Sequence, residues 1–148
     1  MYLLDSSAIL EIINDTQKSK EIILDLKGDL FTTPFSLYEV FYGVRQSELT
    51  FIEKLLTTLT VVNFDTNSSF VAVTLMRDLE KRGRKINLVD VFIASIAISH
   101  DLTLVSLDKD FKKIKGLKFK VYLSSVQSLF LKKEKLLVRL LLLLNSFP

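Results

Sequence analysis

The chain has 148 residues, of which 49% are hydrophobic and 25% charged, with a net charge of +3 and a mean hydropathy of +0.33. That length suits one domain with a sizeable core, and the high hydropathy fits a parallel sheet buried on both faces. Cysteine is absent and His100 is the single histidine, which excludes disulfides, thiolate metal sites and a centre built from several imidazoles.

Residues 2–5 read as a short buried strand ending at Asp5, after which Ser6 or Ser7 can cap a helix carrying Ile9, Ile12 and Ile13. Thr16 starts a second helix with Ile22, Ile23 and Leu26 as its apolar stripe, and Gly28 ends it. Residues 30–33 read as a strand. Pro34 follows at the first turn of a helix, where its missing N–H costs little. That helix carries Glu39, with Gly43 later in it. A helix over 48–58 precedes a β-branched strand at 60–64, and a long amphipathic helix over 65–82 is closed by Gly83.

Asn87 precedes an apolar helix over 88–99, whose Ala94, Ser95 and Ala97 allow close packing on a sheet. A strand at 103–105, Asp108, a short helix near Phe111 and a last strand at 119–123 complete the pattern. Strands alternating with helices predict an α/β fold: a three-layer α/β/α sandwich around a parallel sheet of four or five strands. Residues 1–125 form the expected domain. Residues 126–148 read as a leucine-rich tail, either a helix covering an apolar patch or a poorly ordered extension. The start of the chain lacks a basic leader pattern, and the leucine run is too short for a membrane span, so a cytoplasmic location is expected.

Four acids interrupt apolar runs at the ends of these elements: Asp5, Glu39, Asp90 and Asp108. Carboxylates in such settings are costly unless something pairs with them, and several together point to a bound metal. Sites in open α/β sheets form outside the carboxyl ends of strands, which is where Asp5 and Asp108 fall. Each acid has a plainer role open to it. Asp5 and Asp90 could serve as first-turn helix acids, but their apolar neighbours favour ligation. Glu39 could be a surface acid, yet Leu37, Tyr38, Val40, Phe41 and Tyr42 leave it little polar face. Asp108 could equally be a turn residue or cap.

The segments Asp5-Ser6-Ser7, Ser36-Leu37-Tyr38-Glu39, Asp90-Val91-Phe92-Ile93-Ala94-Ser95 and Ser106-Leu107-Asp108-Lys109-Asp110-Phe111 resemble the motifs of PIN-domain ribonucleases. The order of the acids resembles the VapC-type toxins of prokaryotic toxin–antitoxin pairs, over roughly residues 2–125. The resemblance implies Mg²⁺ or Mn²⁺ held by Asp5, Glu39, Asp90 and Asp108. It further implies an RNA substrate, a homodimer and a small antitoxin that plugs the active-site groove. Ser6 and Ser106 stand where threonine is frequent, which preserves a hydroxyl, whereas Leu107 stands where a polar residue is common.

Ser6 and Ser106 could orient the carboxylates, or act simply as caps, and Asp110 is a spare or supporting acid. A basic cluster containing Arg82, Arg84 and Lys85, and another between Lys109 and Lys120, flank the acids. They suit a polyanion, with Arg82, Arg84 and Lys85 as expected RNA contacts, although lysines and arginines commonly just solvate helix faces. Phe35, Tyr38 and Tyr42 could stack bases, but helical spacing favours core packing for most of them. His100 reads as a satisfied helix-end histidine, because adjacent residues Ser99-His100-Asp101 cannot converge as a triad.

The functions in play are therefore a toxin endoribonuclease, an RNA-processing nuclease without an antitoxin, and a catalytically silent RNA-binding domain. The presence of all four acids argues against the last. Dinucleotide and P-loop sites find no support in a chain with four glycines and no glycine-rich motif.

Overall fold

The computed structural model describes residues 1–45 and 49–122. The leucine-rich segment 126–148 lies outside the described residues. In chain order the elements are β1 (Tyr2–Leu4), α1 (Ser6–Ile13), α2 (Gln17–Asp25), β2 (Leu30–Thr32), α3 (Pro34–Gly43), α4 (Leu49–Leu56) and β3 (Thr60–Val61). Then follow α5 (Thr66–Lys81), α6 (Leu88–Ser99), β4 (Thr103–Ser106), a 3₁₀ helix (Lys109–Lys113) and β5 (Phe119–Val121).

All five strands are parallel, in the order β3-β2-β1-β4-β5. Strand alternation then divides the core. Leu4 and Val105 face a cluster with Ile9, Ile12, Ile22, Val40 and Ile52 on the side of α1–α4. Their neighbours Leu3 and Leu104 face the opposite cluster, with Leu75, Leu79, Ile93, Ile96 and Phe111 under α5 and α6. Both faces are covered, as the three-layer expectation requires. Among the described residues no helix is long and apolar enough to cross a membrane.

Local chemistry sets the helix starts. Thr16, Thr33, Asp65 and Asn87 each sit in extended backbone at an N-cap and accept a hydrogen bond from a first-turn N–H. Beyond α5, Gly83 adopts φ +60°, a conformation disfavoured for side chains with a Cβ. Two expectations change. The cap of α1 is Asp5 rather than Ser6 or Ser7, both of which lie inside the first turn. The third strand stops at Val61 rather than reaching residue 64, because β2 ends at Thr32 and offers no further partner. Val62 N–H donates to the Thr32 carbonyl at 2.9 Å, and Phe64 then joins Phe92 (4.8 Å between ring centroids) and Phe35 (6.2 Å).

Leu104 lies in β4, between β1 and β5, with no exposed surface. Replacing it with alanine leaves a cavity under α6, and an Leu104→Ala protein is expected to lose about 2–5 kcal/mol of stability. Urea unfolding followed by circular dichroism measures this loss.

Candidate active site

The chain crosses from the β2/β3 half of the sheet to the β4/β5 half, so the switch in strand order lies between β1 and β4. In open α/β sheets, ligand sites form outside the carboxyl ends of the strands at such a switch. Asp5 follows β1 directly, and its N–H donates to the Val105 carbonyl at 3.2 Å. Its carboxylate is buried, 5% exposed, and both oxygens are engaged. Oδ1 accepts from the Ala8 N–H at 2.9 Å and from the Ser7 hydroxyl at 2.8 Å, while Oδ2 accepts from the Ser106 hydroxyl at 2.5 Å. The plainer role, a helix cap, and the role of a positioned carboxylate thus coincide in one residue.

Ser106 closes β4 and also accepts the Asp108 N–H at 2.9 Å. Asp108 is exposed and caps the 3₁₀ helix, accepting the Asp110 N–H at 2.8 Å. Asp110 pairs with Lys113 at 2.8 Å. Glu39, on α3, accepts a hydrogen bond from the Ser6 hydroxyl, which ties the helix after β2 to the helix after β1. Asp90 lies in the first turn of α6, partly buried. Among the described residues, no three of these acids are already drawn into a single ligand cluster.

Electrostatics nevertheless join them. Burial, then the charges of Asp108, Glu39, Asp5 and Asp110, push the Asp90 carboxyl up to about 6 from 3.8. Burial likewise pushes Asp5 up to about 6, against the lowering effect of its three hydrogen bonds, with Glu39 adding repulsion. The donors are all hard oxygens. They fit Mg²⁺ or Mn²⁺, which retain water ligands and need only one or two carboxylates directly.

Ser7 is the residue that sequence reasoning missed. Its hydroxyl donates to Asp5, accepts the Leu107 N–H at 2.9 Å, and lies 3.3 Å from the Ser106 hydroxyl. The signal was present in the doubled serine after Asp5, but the partner is a hundred residues away. Of the expected RNA contacts, Arg84 and Lys85 are exposed. Arg82 instead braces the fold: its Nε donates to Asp78 at 2.7 Å and its Nη2 to the Lys113 carbonyl at 2.8 Å. His100 is satisfied at the end of α6, with Nδ1 3.1 Å from the Ile96 carbonyl and 3.0 Å from the Ser99 hydroxyl. Phe35 packs inward as expected, whereas Tyr38 and Tyr42 are exposed.

Two outcomes follow from this geometry. Ser7→Ala leaves the Leu107 N–H without its acceptor and is expected to cost about 1–3 kcal/mol in urea unfolding. The raised carboxyls also set a pH dependence. The folded state holds protons on Asp5 and Asp90 that the unfolded chain releases near 3.8, so metal-free stability falls as pH rises from there through about 6. In EDTA, Asp90→Asn is therefore expected to melt a few degrees above the wild type at pH 7, with the gap closing towards pH 4. Thermal melts at the two pH values check it.

Comparison with known proteins places this arrangement. The family profile described as PIN domain matches residues 2–117. Ribonuclease VapC2 of Rickettsia felis is 31% identical over 126 residues, covering 79% of this chain and 94% of the relative. Ribonuclease VapC1 of the same organism is 29% identical over 124 residues, covering 78% and 91%. Among solved structures, VapBC2 from Rickettsia felis bound to a DNA fragment from its promoter aligns with a TM-score of 0.72 and 27% identity, covering 82% of this chain and 98% of the matched one. With the profile spanning both core layers and the edge that carries the acids, the chain belongs to the PIN-domain family.

Proposed function

We propose that this chain is a metal-dependent endoribonuclease, the toxin of a toxin–antitoxin pair, which hydrolyses RNA phosphodiester bonds. The observation that carries the reading is the mutual electrostatic reach of Asp5, Glu39, Asp90 and Asp108 at the β1/β4 switch, with two of them raised by burial and like charge. The ribonuclease relatives support RNA as the substrate, and the VapBC complex supports a small antitoxin as partner. A homodimer and a cytoplasmic setting belong to the same reading.

In this reading Asp5 and Asp90 are the principal ligands of Mg²⁺ or Mn²⁺, and Glu39 and Asp108 complete the pocket. Bound there, the ion supplies Lewis acidity towards the phosphate and a more acidic water. The chain's own residues do the rest. Ser106 and Ser7 fix the plane of the Asp5 carboxylate, and Ser6 fixes that of Glu39. Glu39 serves there as a ligand or as the carboxylate that orients a metal-bound water. Asp110, already paired with Lys113, adds negative charge near Asp90. Arg84 and Lys85, exposed just before α6, supply phosphate contacts, while Arg82 holds their loop in place.

Purified protein is expected to cut RNA with Mg²⁺ or Mn²⁺ and not with EDTA. Loss of supporting residues around a metal costs 10–100-fold in typical sites, so Asp5→Asn and Asp90→Asn should each lose more than about a hundredfold. Their circular dichroism should stay native. Persistent cleavage by well-purified Asp90→Asn would overturn the assignment. A divalent cation should also raise the melting temperature of the wild type and leave that of an Asp5→Asn/Asp90→Asn protein unchanged.

A further inference from the structure

The two hydroxyls beside Asp5 reach beyond it. Ser7 Oγ donates to Asp5 Oδ1 at 2.8 Å and accepts the Leu107 N–H at 2.9 Å. Ser106 Oγ donates to the other carboxylate oxygen at 2.5 Å and accepts the Asp108 N–H at 2.9 Å. Successive amides of the turn after β4 are thus fastened, through one hydroxyl each, to opposite oxygens of a single carboxylate. Ser106 belongs to the strand that the turn leaves, whereas Ser7 belongs to α1, a hundred residues from Leu107. Leu107 is held a second time by its side chain, which packs on the core cluster on the side of α1–α4. Further along the turn, Phe111 is 1% exposed in the opposite cluster. The turn is pinned in both layers of the fold, and Asp108 lies between the pins.

We propose that Ser7 is a positioning residue for Asp108: by latching the Leu107 amide to α1 it sets the separation of the Asp108 and Asp5 carboxylates, and with it the fit of the pair to a divalent cation. The proposal rests on the metal-dependent nuclease reading and adds to it the residue that keeps two arms of the pocket in register. Like charges on separate elements repel, and Asp108 is exposed, so a turn without its latch is driven away from Asp5. The bond from the Asp110 N–H to Asp108, 2.8 Å, lies within the same 3₁₀ helix and moves with it, so it cannot hold Asp108 against α1. Leucine at 107 suits the latch, because a polar side chain there would gain nothing by packing on the apolar cluster.

The full chain is compared with its Ser7→Ala, Ser7→Thr and Leu107→Ala variants by amide hydrogen exchange in EDTA, read residue by residue by NMR. The reference is the Leu104 N–H, which donates to the Lys118 carbonyl at 2.8 Å inside the sheet. Ser7→Ala is expected to speed exchange of the Asp108 amide about tenfold relative to that reference, although its own acceptor, Ser106, is untouched. Ser7→Thr, which keeps the hydroxyl, should retain protection. Leu107→Ala, which removes the other pin, should loosen Asp108 as well. Binding of Mn²⁺, followed by electron paramagnetic resonance of the free ion, should weaken about tenfold in Ser7→Ala and recover in Ser7→Thr. It should weaken no further when Ser7→Ala is added to Asp108→Asn. Unchanged Asp108 exchange in Ser7→Ala or Leu107→Ala overturns the latch, and so does a speed-up shared equally by Leu104. A full additional loss of Mn²⁺ affinity in the Asp108→Asn background also overturns it, and assigns Ser7 to Asp5 alone. Wild-type protein that binds no Mn²⁺ overturns the metal reading instead, while the exchange rates, taken without metal, still decide whether Ser7 holds the turn.

Discussion

The Asp5 carboxylate is the constraint around which the functional edge of this protein is organised. A carboxylate with 5% exposure is unfavourable unless its charge is answered. Here a backbone N–H from α1, a hydroxyl from α1 and a hydroxyl from β4 all donate to it. Because one oxygen is held by the helix and the other mainly by β4, the carboxylate clamps the carboxyl ends of the two central strands together. Its proton affinity nevertheless stays raised, so hydrogen bonding offsets only part of the burial cost. An unanswered remainder of this kind is what a divalent cation would relieve.

The other acids reach the same edge through separate elements, and each is held by a short local device. Asp90 rides on the first turn of α6, whose Asn87 cap sets where the helix begins. Glu39 is fixed by Ser6, and Asp108 by its cap of the 3₁₀ helix and by Ser106. The second core cluster seats α6 on the sheet through Ile93, Ala94, Ile96 and Ala97, so the position of Asp90 depends on packing well behind it. Repulsion among the acids opposes folding, and the two apolar layers must outweigh it. This is a common relation between stability and function in sites built from like charges.

Much of the fold was legible because the signals are local. β-branched and apolar runs of strand length, helical spacing of Ile22, Ile23 and Leu26, and the helix-start residues Thr16 and Asn87 act within a few residues of themselves. Asp5, Glu39, Asp90 and Asp108 stood out for a related reason: a charge inside an apolar run needs a partner wherever the chain goes. The departures lie where a distant segment decides. Strand β3 is short because β2 ends, not because its own residues disfavour strand. Asp5 outcompetes two serines as cap because β4 orients it from the other side.

The sequence by itself determined the alternation of strands and helices, the likeness to PIN domains and the four acids, since each depends on residue type and spacing. Only the tertiary structure decided what those residues touch. It recruited Ser7 to the bracket around Asp5, assigned Arg82 to bracing, and left Tyr38 and Tyr42 open to solvent while turning Phe35 into the core. Helical spacing places all three aromatics near one face. Which of them is buried depends on where Phe64 and Phe92 arrive from other parts of the chain, a contact that no local pattern encodes.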